Sequence, residues 1–438
     1  MRAHNIFFWA VSFFLIGVLV ASLVGGFESA WLIVLAIGIL IPAILFFIGN
    51  RSQAILALAI IIGGFYYLAY DLAQKDEVFA FGEKVILTGV VREIEYGLES
   101  QKIRIGEVQV TTQRYPEYAY GDQLKIEGML KKIPDDRRGY FSKEDIFALM
   151  SFPKIDVIAK NKGSAVRAVL LKINRATQDS LKQVMPPEKA AFMSGLTLGA
   201  TAEFSEEFEE KLRLTGTSHM VALSGYNISV IGYAVLLALS RWFSRRGTLI
   251  ATFFVILGFV VMTGAEASVV RAAIIGILIM IADQAGRQYY FRNALALAAF
   301  LMVLFNPKVL VFDLGFQLSF LAIIGIAYLR PLLKKWLRMK DEPGILNWRD
   351  NFLTTTSAQI AVLPLILSRF GYFSPISILA NVLILEFIPP TMFLGFLTAA
   401  LSVVSFHLSL LSGWIAQVFL GYILWVIDLC SKIIVIFT

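Results

Sequence analysis

Residues 215–232 read TGTSHMVALSGYNISVIG. The segment is apolar enough to enter a membrane, yet it carries Ser218, His219, Ser224, Asn227 and Ser229. A helix that only anchors a protein in lipid needs none of them, because a polar group in hydrocarbon must find a partner or face a cavity. Gly216 and Gly225 flank the polar residues, a pattern that fits a broken helix lining a passage. What the segment can be depends on the chain around it.

The 438-residue chain is 58% hydrophobic and 16% charged, with a mean hydropathy of +0.72. A soluble domain holds about 45–50% apolar and about 25% charged residues. The apolar excess falls in runs of roughly 17–25 residues, the length that crosses a hydrocarbon core of about 30 Å. An ordinary soluble enzyme is excluded, and a polytopic membrane protein is expected. No small-residue cleavage site follows the first run, so it is expected to stay as a span and not to act as a signal peptide. The single cysteine, Cys430, excludes an internal disulfide and a thiolate metal cluster. His4, His219 and His407 lie far apart without a ligand pattern, so no metal or other cofactor is expected. Much of the net charge of +7 sits in short loops, at Arg51, Arg241, Arg245, Arg246, Arg287, Arg292 and the stretch LRPLLKKWLRMK at 329–340. Such loops are where the positive-inside rule places Lys and Arg, so the charge reports orientation more than nucleic-acid binding.

Three spans are expected within residues 1–72, near 6–24, 31–48 and 54–70. Arg2, Glu28 and Arg51 around them place the N-terminus in the cytoplasm and send residue 71 onward to the outside. Over 76–160 the pattern alternates, as in KVILTGVVREIEY, KIRIGEVQVTT and DQLKIEGMLKKI. Period-two alternation punctuated by glycine predicts short antiparallel strands, and the size suits a small extracellular β-barrel of the OB type. Its Tyr115, Tyr118 and Tyr120 are candidates for stacking on bases, with ordinary packing as the alternative. Residues 163–438 open with an amphipathic helix at 163–185. A short apolar piece, AAFMSGLTLGA, suits a re-entrant segment, and a second amphipathic helix capped by Ser205 follows. Spans are then expected near 218–240, 248–264, 269–284, 292–305, 309–329, 353–368, 375–390, 391–407 and 411–434. Apart from Lys308 and Arg369, the basic loops agree with one alternation across the membrane. The expected fold is an all-α polytopic membrane protein of about 10–12 transmembrane or re-entrant helices with one small extracellular β-barrel.

Inside these spans and at their edges the polar residues are concentrated: His219, Ser224 and Asn227; Glu266, Ser268 and Arg271; Asn293; Asp313 and Gln317; Asn381. Asp313 and Gln317, four apart, share a helix face. Small and amide side chains also glue helices together, which competes with any functional reading. Arg271 is different, because an uncompensated guanidinium in hydrocarbon costs several kcal/mol. Its partner is expected to be Glu266, Asp313 or an anionic substrate. A Ser–His nucleophile fits poorly: Ser218 and His219 are adjacent, His219 and Ser224 are five apart, and LSGYN lacks the strand-turn-helix elbow of a hydrolase.

These residues also carry a resemblance. The 215–232 segment resembles that of the ComEC family of competence proteins. The likeness continues through SVVRAAIIG at 268–276 and YYFRNALALAAFLMVLFNPKVLVFDLGFQLSFLAIIGIAYLRP at 289–331. It recurs in TTSAQIAVLPLILSRFGYFSPISILANVLI at 355–384. The resemblance implies a multi-pass protein of the bacterial inner membrane that passes single-stranded DNA during natural transformation, with 163–438 as the channel domain. It implies a path lined by His219, Ser224, Gly225, Arg271, Asn293, Asp313 and Gln317, to which the placement of polar residues adds Asn227 and Asn381. Implied partners are single-stranded DNA, the lipid bilayer, a separate nuclease, a DNA receptor and a cytoplasmic motor. The chain departs from the family in two ways. Asn227 stands where relatives have a histidine, and the zinc motifs of the metallo-β-lactamase-like domain of many relatives do not occur, so a nuclease step is expected from a separate protein.

Two other readings fit the residues alone. One is a membrane-embedded enzyme acting on an envelope substrate, with His219 and Asp313 as acid-base groups. The other is a small-solute transporter, favoured if the bundle consists of inverted repeats.

Overall fold

The computed structural model describes residues 3–24, 27–74, 81–221, 223, 225–284, 290–339 and 347–437. The N-terminal helices are α1 (Ala3–Val24), α2 (Phe27–Phe47), α3 (Arg51–Ala57) and α4 (Ala59–Ala73). Only Leu58, itself helical at φ −61° and ψ −19°, separates α3 from α4, so the two form one run. Glycines let α1 and α4 touch backbone to backbone. A Cβ on Gly17 would lie 1.9 Å from the Ile60 carbonyl oxygen, and one on Gly63 would lie 2.0 Å from that of Phe14. Such close approach is how helices associate where lipid removes the hydrophobic drive.

The β-domain comprises β1 (Lys84–Tyr96), β2 (Ser100–Ile105), β3 (Val108–Gln113), β4 (Gln123–Lys132), α5 (Arg138–Lys143), β5 (Ala148–Ser151) and β6 (Lys154–Ala159). β1 is long enough to change partners. Its first half pairs antiparallel with β4, and beyond a register shift between Val91 and Glu93 its second half pairs with β2. β2 pairs with β3, β3 runs parallel to β5, and β5 returns to β4, which closes a five-strand barrel. β6 continues beside β4 after the turn at Phe152, which has φ 49°. The alternation puts Val91, Ile103, Val110, Leu124, Ile126 and Met150 in the barrel core. All three expected stretches are strands; α5, β5 and β6 were not foreseen.

The remaining elements are α6 (Ala165–Val184), α7 (Pro187–Leu198), α8 (Glu206–Leu214), α9 (Ser218–Val221), α10 (Gly225–Leu239), α11 (Arg245–Met262), α12 (Ala267–Gln284) and α13 (Phe291–Phe305). After them come α14 (Val309–Phe312), α15 (Leu314–Trp336), α16 (Trp348–Phe370), α17 (Ser377–Ile384), α18 (Ile388–Val404) and α19 (Phe406–Phe437). Among the described residues, eight helical stretches are long and apolar enough to cross a membrane, and α12 and α13 are shorter apolar helices. The protein is therefore a polytopic helical protein with one small β-barrel. α6 is amphipathic as expected, with Val166, Val169 and Ile173 exposed. Ser205 caps α8 by accepting from the Phe208 amide at 3.3 Å.

Three expected boundaries are corrected. The span read as 218–240 holds two helices, Ser218–Val221 and Gly225–Leu239, with Leu223 outside both, and the span read as 309–329 is broken at Asp313. The spans read as 375–390 and 391–407 form one helical run, Ser377–Val404, joined through a 3-10 turn at Leu385–Phe387. Pro389 and Pro390 stand in the first turn of α18, where proline is tolerated.

Two buried clusters fix the site. One packs α7 and α8 against α17, α18 and α19 through Phe192, Met193, Phe208, Ile384, Met392 and Leu420. The other packs Leu198 and Leu223 against α10, α11 and α12. Met220 and Val221 belong to the first cluster and Leu223 to the second.

Candidate functional site

After α8, Gly216 turns the chain with φ +64°, a conformation that suits glycine. Thr215 and Thr217 are fully buried and linked Oγ1 to Oγ1 at 2.8 Å, with the Thr215 hydroxyl also donating to the Lys211 carbonyl at 2.8 Å. α9 is a single turn. His219 on it is exposed, with Nδ1 3.0 Å from the Gly216 carbonyl oxygen. Leu223 is fully buried in the break that follows. Ser224 lies outside the described residues. Gly225 and Asn227 stand in the first turn of α10, and the surroundings of their side chains lie outside the described residues as well.

On one side of this stretch are α16 and α17. A Cβ on Gly216 would lie 2.5 Å from the Ser377 Cβ, so the turn presses directly on the start of α17. Gln359 Nε2 donates to Ser377 Oγ at 2.6 Å, and that hydroxyl donates to the Ser374 carbonyl at 2.5 Å. Asn381, one turn along α17, is 2% exposed.

On the other side is the start of α12. Ser268 Oγ donates to the Leu223 carbonyl, which the helix break leaves free. Gly199, in the left-handed region at φ 73°, closes α7 against Leu223, and a Cβ there would lie 3.6 Å from Glu266 Oε1. Glu266 is accessible but largely enclosed by protein. That enclosure raises its carboxyl above the ordinary carboxylate range, and the charge of Asp313 adds to the effect.

Arg271 follows on α12, 5% exposed, with its guanidinium carbon 5.8 Å from the centre of the Phe320 ring on α15. Its Nε and Nη1 have no hydrogen-bond partner among the described residues. Neither carboxylate named as its partner pairs with it. The Asp313 carboxylate meets Lys143 Nζ of the β-domain at 2.9 Å and caps α15 by accepting from the Phe316 amide at 2.9 Å.

Gln317 does not lie beside Asp313 as a free polar face. Its Nε2 reaches back to the Leu310 and Val311 carbonyls, at 3.0 and 2.8 Å, and satisfies acceptors that the α14–α15 break exposes. Asn293 stands apart, in the first turn of α13. Its neighbour Arg292 donates to Asn5 Oδ1 at 2.5 Å and lies 4.3 Å from the Phe8 ring centre. By helical rise this end of α13 is about 18 Å from the other, where Asn306 donates to the Lys143 carbonyl at 2.8 Å. The structure thus sets Ser268 against Leu223 in the break, Glu266 by the Gly199 turn beside it and Ser377 against Gly216, while the Arg271 guanidinium faces Phe320 on α15.

In the β-domain, Tyr115 is 71% exposed, whereas Tyr118 is 6% exposed and offers no face to a base. The Tyr120 hydroxyl accepts from the Ser164 amide at 3.0 Å, and Arg167 lies 5.2 Å from its ring centre. Sequence reading missed Tyr96, which lies between the guanidinium groups of Arg114 and Arg175 at 4.7 and 5.2 Å. It also missed Lys143 and the buried Lys308, whose ammonium bonds Ser142 Oγ at 2.7 Å and Asp71 Oδ1 at 3.0 Å. The signal for Lys308 was its disagreement with the charge alternation of the loops.

The family model described as Competence protein matches residues 196–437. Among curated proteins, ComE operon protein 3 of Bacillus subtilis (strain 168) is 26% identical over 207 residues. That alignment covers 47% of this chain and 25% of the relative, so the chain spans about a quarter of the length of that protein. No solved structure matches.

Proposed function

The chain belongs to the Competence protein family, and on that premise we propose that it conducts single-stranded DNA across the bacterial inner membrane during natural transformation. The observation that carries the reading is Arg271, buried with two guanidinium nitrogens unpaired. A guanidinium held that way costs several kcal/mol unless an anion meets it, and a strand of phosphates supplies one anion after another. The hydroxyl, amide and imidazole groups around the α9–α10 break bind any base weakly, which conduction needs, because a site that holds its cargo tightly does not pass it on.

The β-barrel, with strand order β1-β2-β3-β5-β4 and a parallel β3–β5 pair, supports an OB-type module on the outer face that delivers the strand. In this reading the N-terminus is cytoplasmic and the protein is not an enzyme. A separate nuclease, a surface receptor and a cytoplasmic motor complete the import. The test gives labelled duplex DNA to cells with and without the gene, applies external nuclease, and counts protected single-stranded label. Loss of protection without the gene and its return on complementation support the channel. Unchanged internal label would reject it and turn attention to an envelope substrate.

A further inference from the structure

Among the described residues, four side-chain oxygens of the α16–α17 hairpin are buried without a hydrogen-bond partner: Thr356 Oγ1, Gln359 Oε1, Ser374 Oγ and Asn381 Oδ1. Folded proteins leave few such atoms, and each calls for a water, an ion or a ligand. All four stand on the hairpin whose arms the Gln359–Ser377 bond joins. Ser377 Oγ accepts from Gln359 Nε2 at 2.6 Å and gives its one proton to the Ser374 carbonyl at 2.5 Å. That proton direction fixes the Gln359 amide with nitrogen toward Ser377, leaving Oε1 as an open acceptor. Asn381 is four residues after Ser377, on the same face of α17, about 6 Å along the axis. Thr356 precedes Gln359 by three residues and shares its face of α16. Ser374 and Asn381 are 9% and 2% exposed.

We propose that this cluster binds a small monovalent cation, sodium or potassium, through neutral oxygens. The chemistry favours a single charge. Divalent ions demand carboxylates, and Glu386, the acidic residue just beyond α17, instead accepts from Asn351 at 3.0 Å and Asn347 at 3.3 Å. A neutral set of hydroxyl and amide oxygens near an interrupted helix is the environment in which membrane proteins hold alkali ions. Gly216 closes one wall of the site, since a Cβ there would lie 2.5 Å from that of Ser377. Occupancy therefore braces the turn that leads into His219 and the α9–α10 break. The inference stands apart from DNA passage, and its readout needs no DNA.

The test uses the purified full chain in detergent, melted in sodium, potassium and choline chloride at one ionic strength. Sodium or potassium should raise the midpoint saturably by about 2–4 °C over choline once it exceeds its dissociation constant about tenfold. Asn381→Leu and Gln359→Met should abolish that difference. Equal midpoints in all three salts, or a difference that survives both substitutions, would overturn the site and leave water as the partner of these oxygens. Should the variants fail to fold, sodium-23 relaxation on the unaltered protein decides. Line broadening displaced by potassium but not by choline supports the site, and no broadening rejects it.

Discussion

Two residues near the α9–α10 break have opposite consequences for stability and transport. Arg271 is buried over Phe320 with two nitrogens unpaired, so removing it relieves a desolvated charge. Arg271→Ala is expected to insert and melt at least as well as the unaltered protein while losing DNA uptake. Arg271→Lys, which keeps the charge but not the planar fork, should retain part of it. Uptake and membrane abundance measured together check this, and an Arg271→Ala variant with full uptake would remove Arg271 from the path. Gly216 is structural. Its φ of +64° and the 2.5 Å approach to Ser377 leave no room for a side chain, so Gly216→Ala should cost about 2–4 kcal/mol. Gly232, in the same segment, is the control: a Cβ there meets only Ile256 Cδ1, at 3.6 Å. Gly232→Ala should be neutral or slightly stabilising, as in any helix interior.

Breaks within apolar helices give this bundle its character, and they explain what the sequence could and could not convey. The stretch VLVFDLGF reads as one continuous span because its flanks are apolar throughout; the interruption comes from Asp313, which caps a new helix while bonding Lys143 from 170 residues away. Nothing local announces such a partner. The long apolar runs, the alternating strands and the concentration of polar residues at 215–232 were all legible, since each is a short-range periodicity or composition. The pairings of Gln359 with Ser377 and of Lys308 with Asp71 were not, because either reads as ordinary helix glue or a stray charge until the helices are placed. Asp313→Ala should cost about 2–3 kcal/mol by removing both cap and ion pair. Asp313→Asn should cost less, because asparagine still caps. For Lys143, burial lowers the pKa, but the hydrogen bonds that its ammonium donates to Glu144 and Asp313 outweigh it and leave the group above the ordinary 10.5. A raised value means that the stabilisation is complete below pH 10.5 and is lost as pH rises through the folded value. Amide exchange in α5 should therefore be unchanged by pH in the neutral range, after correction for intrinsic exchange rates, and accelerate only in strong alkali.

The β-barrel is bolted to the bundle, not tethered to it. One patch joins α5 to the end of α4 and to α14: Lys143 with Asp313, Lys308 with Ser142 and Asp71, and Gln74 Nε2 with Asp145 Oδ1 at 2.7 Å. Phe312 packs so closely on Gly139 that a Cβ there would lie 2.2 Å from its ring. A second patch joins α6 to the barrel through Arg167 with Glu93, at 3.3 Å, and Arg175 with Glu117. Burying Lys308 in the first patch also removes it from the loop charges that set orientation, so its exception to the alternation has a physical reason. The topology proposed above puts the barrel outside and the α15–α16 connection inside, with Arg369 still against the alternation. The single cysteine, Cys430, makes the arrangement testable by labelling. In a Cys430→Ala background, Leu98→Cys on the exposed β1–β2 turn should react with an impermeant maleimide in spheroplasts. Lys335→Cys, exposed near the end of α15, should react only after the membrane is opened. Reaction of both without opening, or of Lys335→Cys alone, would reverse or discard the topology. The barrel would then be unable to receive DNA from outside, and the direction of transport would have to be argued again.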